Sequence, residues 1–306
     1  MLKYLPLCFC LICVTLSAKA QTVKPVKYKD IIFSDIAIDK DLSYAPDASP
    51  DKKKSFLFDL YQPTDDHSAP RPLIIWMHGG GFKFGSKDAK GIKLWSKTFA
   101  QRGYVCAAIN YSLSKKDPLF NFSELQKSCF YAVQDVKTAI AYFKKHHADY
   151  NIDPDKIILA GNSAGGLTAL QTAYSTNAQL AKIAGVNDSS TDQQGILKVA
   201  AVMNFWGAIF TLDWLKNTRV PIVSVLGSND DIVSPTHKSA PLFGGVDIHK
   251  EADILRIPNE LKIYEGYSHE LDKHFNPLFT GGNATQKRWL EAGQFAADFL
   301  YITLFK

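Results

Sequence analysis

The stretch Gly-Asn-Ser-Ala-Gly-Gly at residues 161–166 follows an apolar run at 156–160 and opens a helical pattern at 164–173. Gly-x-Ser-x-Gly alone is a weak pattern, but a strand before it and a helix after it are typical of a nucleophilic serine on a sharp turn. The glycines leave room for such a turn, and the helix N-terminus supplies unpaired N–H groups. We therefore predict that Ser163 is a nucleophile. The alternative is a glycine-rich turn in which the serine only caps the helix.

The rest of the chain alternates between strand and helix patterns. The predicted strands are 31–38, 55–61, 73–77, 104–109, 156–160, 199–205, 221–226 and 261–264, and the predicted helices are 91–102, 124–146, 164–173 and 286–304. This order predicts an α/β fold, with a mostly parallel twisted sheet, helices on both faces and an early hairpin. Residues 187–194 are predicted to form a surface loop, and 236–259 an irregular segment that could be part of a lid.

A second motif, His-Gly-Gly-Gly-Phe at residues 78–82, directly follows the predicted strand 73–77. Its three glycines expose consecutive backbone N–H groups with no side chains in the way. Acyl-transfer enzymes need such donors, because their tetrahedral intermediate carries negative charge on oxygen. A phosphate-binding loop is disfavoured because Gly-Lys-Ser/Thr is missing here. A merely flexible loop is the remaining alternative.

The two motifs together resemble the α/β-hydrolase fold and, within it, secreted carboxylesterases with an HGGG oxyanion loop, including feruloyl and acetyl-xylan esterase relatives. The resemblance is strongest over residues 60–170, where segments 59–63, 110–113 and 152–157 look like the family's pattern. Ser112 departs from it, because the family commonly has an arginine there as a structural ion-pair partner. The resemblance implies chemistry without a cofactor.

The resemblance also implies a catalytic triad in the chain order Ser, acid, His. The acid should follow a strand, and the predicted strand 221–226 is followed by a turn that contains Asp230 and Asp231. The family usually places the acid four residues before a proline, here Pro235, which selects Asp231 and leaves Asp230 as the alternative. The carboxylate would fix the imidazole tautomer and stabilise the imidazolium.

The histidine of the triad should follow the next predicted strand, 261–264. His269 lies in the loop after that strand and before the last helix, where its imidazole could reach Ser163. Imidazole is suited to accepting and returning a proton near neutral pH. His274, five residues further on, is the competitor.

The oxyanion donors are also implied by the resemblance. It points to the N–H groups of Gly80 and Gly81 in the glycine loop and to that of Ala164 after the nucleophile. His78 is expected to hold the shape of the loop rather than to transfer protons.

Aromatic side chains near the glycine loop and the predicted strand ends are candidates for the walls of the substrate pocket. They are Phe82, Phe84, Trp206 and Phe210. Core packing is the alternative, above all for Phe210.

The first 20 residues have the pattern of a secretory signal peptide. Lys3 precedes an apolar stretch at 5–16, which is too short to span a bilayer comfortably. Ala18-Lys19-Ala20 then offers the small residues that signal peptidase recognises. Cleavage after Ala20 would leave one catalytic domain over residues 21–306, secreted or periplasmic and without a membrane span. An uncleaved anchor is the alternative.

The composition is that of a globular protein. Of 306 residues, 46% are hydrophobic and 21% are charged, which excludes a disordered chain. Loss of residues 1–20 would remove Lys3 and Lys19 and no acid, so the formal net charge would fall from +5 to +3. Without a clustered basic face we expect no nucleic-acid partner. No cluster of His, Cys and Asp has zinc-ligand spacing, so no metal is expected.

Two cysteines, Cys106 and Cys129, lie outside the predicted signal peptide. An exported compartment permits a disulfide between them. Cys106, however, falls in a predicted buried strand, where cysteine is often simply a small apolar side chain. The sequence favours free thiols and leaves the pairing open.

These patterns predict a secreted serine esterase that hydrolyses short-chain or polysaccharide-linked esters through an acyl-enzyme. An amide-bond hydrolase of the same fold, of the peptidase or arylformamidase type, is the first alternative. A non-catalytic binding protein that retains the fold is the second, although such proteins generally lose the serine or the histidine. The oligomeric state is open.

The signal-peptide prediction can be tested directly. When the full chain is expressed in a bacterium that exports proteins, we expect the exported protein to begin at Gln21, because signal peptidase cleaves after Ala20. Intact-mass measurement or N-terminal sequencing checks this. In the control Ala20→Arg the large side chain should block cleavage. Full-length wild-type protein in the cytoplasm would contradict the prediction.

Overall fold

One sheet organises the part of the chain that the computed structural model describes, which is residues 24–66, 68, 70–187, 197–238, 241–274 and 281–306. Its strands are β1 (Ile36–Ser43), β2 (Leu57–Pro63), β3 (Arg71–Met77), β4 (Val105–Ile109), β5 (Ile152–Asn162), β6 (Ala201–Phe205), β7 (Ile222–Gly227) and β8 (Asn259–Tyr264). They lie in the order β1-β2-β4-β3-β5-β6-β7-β8. β2 is antiparallel to both of its neighbours, and the pairs from β4 to β8 are all parallel.

Helices cover both faces of this sheet. The described α-helices are α1 (Lys90–Ala100), α2 (Phe122–Lys145), α3 (Ala164–Tyr174), α4 (Asn177–Ala184), α5 (Gly245–Ile254) and α6 (Asn283–Leu304). Side chains of α1 and α6 form one apolar layer with the sheet, and side chains of α2 to α5 form the other. The central strands are therefore buried on both sides, as parallel strands of α/β proteins usually are.

β3 shows how the sequence produces this arrangement. All seven of its residues are buried. Leu73, Ile75 and Met77 point into the layer of α2 to α5, whereas Ile74 and Trp76 point into the layer of α1 and α6. Successive side chains of a strand face opposite sides of the sheet. A continuous apolar run is therefore the pattern that a strand between two helical layers requires.

The predicted α/β architecture, with a mostly parallel sheet and helices on both faces, is confirmed. The early hairpin is present as the antiparallel pair β1 and β2, but β1 starts at Ile36 rather than at residue 31. The predicted signal peptide, residues 1–20, lies outside the described residues. So does the predicted surface loop 187–194, apart from Asn187.

Two helices are absent from the sequence-based prediction. α4 is short, but Thr176 and Gln179 form reciprocal capping hydrogen bonds at its N-terminus, and such a capping box stabilises short helices. α5 lies within the segment predicted to be irregular. Its Ile248 and Ala252, four residues apart, are buried in the core. The lid interpretation is therefore wrong for residues 245–254, since this helix packs against the sheet.

Cys106 and Cys129 are free thiols. Cys106, in β4, points into the layer of α1 and α6. Cys129, on α2, belongs to the opposite layer. The sheet therefore separates the two sulfur atoms, and burial raises the pKa of both thiols well above the usual value.

A buried ion pair fixes the chain just after the glycine loop. The Lys87 ammonium lies 2.7 Å from Asp59 Oδ1 and 2.9 Å from Asp41 Oδ1. Its side chain is 5% exposed and that of Asp59 1%. Burial acts to lower the pKa of Lys87, but the hydrogen bonds to the two carboxylates outweigh it and raise the pKa above its ordinary value. The pair joins the loop to β2, which carries Asp59.

Removal of this carboxylate should destabilise the protein strongly. We expect Asp59→Ala to lower the free energy of unfolding by about 3–5 kcal/mol, because it leaves the Lys87 charge buried without its closest partner. Urea denaturation followed by circular dichroism measures the change. Asp88→Ala is the matched control. The Asp88 carboxylate is 3.4 Å from the same ammonium but 57% exposed, so its loss should be below about 1 kcal/mol. Equal losses in the two variants would contradict the prediction.

Candidate active site

Ser163 occupies the sharp turn between β5 and α3. Its backbone has φ 53° and ψ −120°, a conformation that costs a non-glycine residue roughly 1–3 kcal/mol. The Ser163 N–H donates to Phe205 O at the end of β6, at 2.9 Å. A Cβ on Gly165 would lie 2.1 Å from Met77 O, so only glycine allows α3 to start this close to β3. The expected strand–turn–helix context of the serine is present.

His269 and Asp230 complete a hydrogen-bonded chain with Ser163. The distance from Ser163 Oγ to His269 Nε2 is 2.9 Å, and that from His269 Nδ1 to Asp230 Oδ2 is 2.7 Å. Because a carboxylate only accepts, Nδ1 carries the proton and Nε2 accepts from the serine hydroxyl. Ser163 is 8% exposed, His269 3% and Asp230 1%. Ser163 follows β5, His269 follows β8 and Asp230 follows β7, and the carboxyl ends of these strands meet at one edge of the parallel sheet.

The structure places Asp230, and not the predicted Asp231, against His269. The Asp231 side chain is 86% exposed and lies 3.4 Å from the Lys238 ammonium. Asp230 instead turns inward, and its Oδ1 accepts the N–H groups of Ile232 and Val233, both at 2.9 Å. Adjacent residues of a turn point in different directions, so counting back from Pro235 selected the neighbour of the residue that bonds His269. The competitor to His269, His274, is exposed.

The glycine loop is held by its own histidine. The His78 ring stacks on Tyr111, with centroids 4.3 Å apart, and its Nδ1 lies 2.7 Å from Gly79 O. The Tyr111 hydroxyl donates to His78 O at 2.7 Å. Burial lowers the pKa of His78 to about 4, so the ring is neutral at physiological pH. His78 therefore acts as a fixed support under the loop.

The glycine loop carries backbone N–H groups close to the serine turn. The loop lies against the turn, since a Cβ on Gly79 would be 3.2 Å from Ser163 Cβ. Within the described residues, the N–H groups of Gly80, Gly81 and Ala164 donate to no protein acceptor. Gly80 and Gly81 adopt φ 107° and 60°, values that favour glycine. These three N–H groups, named from the sequence as oxyanion donors, remain available to a ligand oxygen.

Phe82 and Trp206 are not pocket walls. Phe82 is 0% exposed and Trp206 1%. Phe82 packs in the apolar layer of α2 to α5, and Trp206 packs against Trp95 in the opposite layer. Both rings fill the core, so they offer no surface to a substrate. Phe210, also 1% exposed, is a core residue too.

Phe84 does face open space. It is 58% exposed and lines a cavity of about 110 Å³ between the glycine loop and the N-termini of α1 and α6. Asn162 and Glu270 also line this cavity. Neither residue was assigned a function from the sequence, although each directly adjoins a predicted catalytic residue.

Two further properties bear on the kind of site. Within the described residues, no group of three or more His, Cys, Asp and Glu side chains could hold a metal ion. None of the described helices is both long enough and apolar enough to cross a membrane.

The strand order and the position of Ser163 on the turn between β5 and α3 are those of an α/β-hydrolase fold. Residues 58–243, more than half of the chain, match the family model BD-FAE. The chain therefore belongs to the BD-FAE family.

Two curated relatives are named as a probable carboxylic ester hydrolase and an esterase. The chain is 30% identical to the probable carboxylic ester hydrolase LipM of Mycobacterium tuberculosis over 147 residues, which cover 48% of this chain and 30% of LipM. It is 25% identical to the para-nitrobenzyl esterase of Bacillus subtilis over 203 residues, 66% of this chain and 37% of that enzyme. The matched region thus spans only about a third of the length of these relatives.

Solved esterase structures share the fold over nearly the whole chain. Esterase 2 of Thermogutta terrifontis, phosphorylated by paraoxon, has a TM-score of 0.61 and 20% identity, and the match covers 88% of this chain and 95% of that one. A truncated carbohydrate esterase from gut microbiota has a TM-score of 0.52 and 19% identity, with coverage of 88% and 99%. The resemblance to α/β-hydrolase carboxylesterases is confirmed.

Proposed function

We propose that this protein is a serine carboxylic-ester hydrolase whose catalytic triad is Ser163, His269 and Asp230. The observation that carries the proposal is the continuous hydrogen-bonded path from the serine hydroxyl through the imidazole to a buried carboxylate. Membership of the BD-FAE family and relatives named as esterases support the same activity.

The first step is the attack of Ser163 Oγ on the ester carbonyl carbon. His269 Nε2, 2.9 Å from Oγ, takes the hydroxyl proton as the carbon–oxygen bond forms. The imidazolium that results keeps its Nδ1–H directed at Asp230, which stabilises the positive charge. The two backbone N–H groups on Asp230 Oδ1 keep this carboxylate in place.

The tetrahedral intermediate carries its negative charge on the former carbonyl oxygen. In our proposal the N–H groups of Gly80, Gly81 and Ala164 donate to that oxygen. Each well-aimed donor in such a site contributes a factor of about 100–1000 to the rate. The positive end of the α3 dipole, directly behind Ser163, favours the same charge.

The intermediate collapses when His269 gives its proton to the leaving alcohol, and an acyl group remains on Ser163 Oγ. Water then attacks the acyl carbon, with His269 again as the base, and the acid leaves as Ser163 recovers its proton. These steps use only side chains, backbone donors and water, and no cofactor takes part in them.

For the substrate we propose short-chain or carbohydrate-linked esters acted on outside the cytoplasm. The apolar stretch and the Ala-x-Ala motif before Gln21 support export. The structural likeness to a carbohydrate esterase is consistent with this substrate class. Exposed side chains flank the glycine loop: Phe84 is 58% exposed, and Leu119, 50% exposed, lies beside Gly81. They offer an apolar surface to the alcohol or acyl part of an ester.

Ser163→Ala tests the nucleophile. With residues 21–306 and p-nitrophenyl acetate, we expect kcat to fall by about 10⁴-fold or more, because no other group can form the acyl-enzyme. A fluorophosphonate should add one adduct to wild-type Ser163, seen by mass spectrometry, and none to the variant. Circular dichroism serves as the control for folding. Ester hydrolysis close to the wild-type rate in the folded variant would overturn the proposed function.

A pair of neighbouring variants tests the acid. We expect Asp230→Asn to lower kcat by about 10³–10⁴-fold, since an amide cannot hold the required imidazole tautomer or balance the imidazolium charge. Asp231→Asn, at the exposed position next to it, should stay within about 2-fold of the wild type. Steady-state kinetics on p-nitrophenyl acetate gives both values. The opposite result would restore Asp231 as the acid.

A further inference from the structure

A buried chain of hydrogen bonds runs behind the nucleophile. Gly79 N donates to Asn162 Oδ1 at 3.1 Å, and Asn162 Nδ2 donates to Glu270 Oε1 at 3.3 Å. A backbone N–H can only donate, so the amide oxygen of Asn162 must face Gly79 and its NH₂ must face Glu270. These hydrogen bonds therefore link the start of the glycine loop, the residue before Ser163 and the residue after His269.

The backbone at Glu270 is held in an unusual conformation. Glu270 has φ 58° and ψ 18°, in the left-handed region that non-glycine residues seldom adopt. The Trp289 indole N–H donates to Glu270 O at 2.7 Å. The Arg288 guanidinium donates to the next carbonyl, that of Leu271, also at 2.7 Å. α6 thus holds the turn that directs the carboxyl of Glu270 inward, where it is only 7% exposed.

The surroundings of Glu270 favour its protonated form more than water does. Burial raises its pKa from the ordinary 4.5 to about 7, with a contribution from the charges of Asp272 and Asp230, while His269 acts in the opposite direction. Lys90 of α1 lines the same cavity. Because the folded state holds this proton more tightly than the unfolded chain, the carboxylate destabilises the fold as pH rises from about 4.5 through 7. The fold therefore gains nothing in stability from the ionised form.

We propose that Glu270 is a positioning residue for the esterase reaction, acting through Asn162 in its carboxylate form to hold the glycine loop against the serine turn. This inference rests on the proposed function. A carboxylate is a stronger acceptor for the Asn162 amide than a neutral carboxyl group. A fixed Asn162 in turn fixes Gly79, which precedes the two proposed oxyanion donors Gly80 and Gly81.

The test compares Glu270→Gln with the wild type across pH. Glutamine keeps the shape of the side chain and an acceptor oxygen but stays neutral. At pH 8.5 we expect kcat for p-nitrophenyl acetate to fall by about 10-fold, since small displacements of catalytic groups are costly, while KM changes less than about 2-fold. The ratio of wild-type to variant kcat should decline to about 1 below pH 6, with its midpoint near pH 7.

Two controls separate positioning from structural support. Glu265→Gln alters an exposed acid in the same loop. For this variant the ratio of wild-type to variant kcat should stay at about 1 at every pH. The melting temperature of Glu270→Gln at pH 8.5 should equal or exceed that of the wild type, because the variant lacks the destabilising carboxylate. A lower melting temperature together with lower activity would assign Glu270 a merely structural role.

Asn162→Ala provides an independent check of the path. It removes the bridging amide, so combining it with Glu270→Gln should cost no more kcat than Asn162→Ala alone. The inference would be overturned if the kcat losses of the two single variants multiplied in the double variant. It would also be overturned if the ratio of wild-type kcat to Glu270→Gln kcat did not change with pH. Failure of the proposed function is distinguishable, because then wild-type protein would show no turnover that depends on Ser163.

Discussion

The backbone of Ser163 is the constraint on which the site depends. A non-glycine residue at φ 53° is stable only where the surrounding structure leaves no alternative. Here the hydrogen bond to Phe205 O ties the turn to β6. The close approach of Gly165 to Met77 O ties the start of α3 to β3. The serine oxygen therefore has a defined position relative to three strands before any other functional residue is considered.

The other parts of the site are placed relative to this turn. His269 and Asp230 come from loops after β8 and β7. His269 reaches Ser163 and Asp230 reaches His269 because parallel strands end at the same edge of the sheet. The glycine loop follows β3, the strand beside β5, and so lies against the serine. The buried Lys87–Asp59 pair holds the chain where this loop ends. Strand order thus brings four separate loops to one edge of the sheet.

The sequence predicted features that depend on local pattern and missed those that depend on packing in three dimensions. Apolar runs located the central strands because both faces of the sheet are covered. The serine turn was predictable because its close approach to neighbouring backbone requires glycine on steric grounds. Asp230 and Asp231 could not be separated in this way, since the direction of each side chain is decided by the turn and not by the order of residues. Phe82 and Trp206 look like pocket residues by position, yet both fill core space. Glu270 carries no motif, and only its inward turn brings it to Asn162.

The separation of Cys106 and Cys129 by the sheet has a consequence for where the protein can fold. The described core acquires its stability from apolar layers and hydrogen bonds, without a covalent cross-link between these two residues. Both sulfurs are shielded from solvent and resist conversion to the reactive thiolate. The described core therefore holds no disulfide between Cys106 and Cys129 that an oxidant would have to form or that a reductant could break.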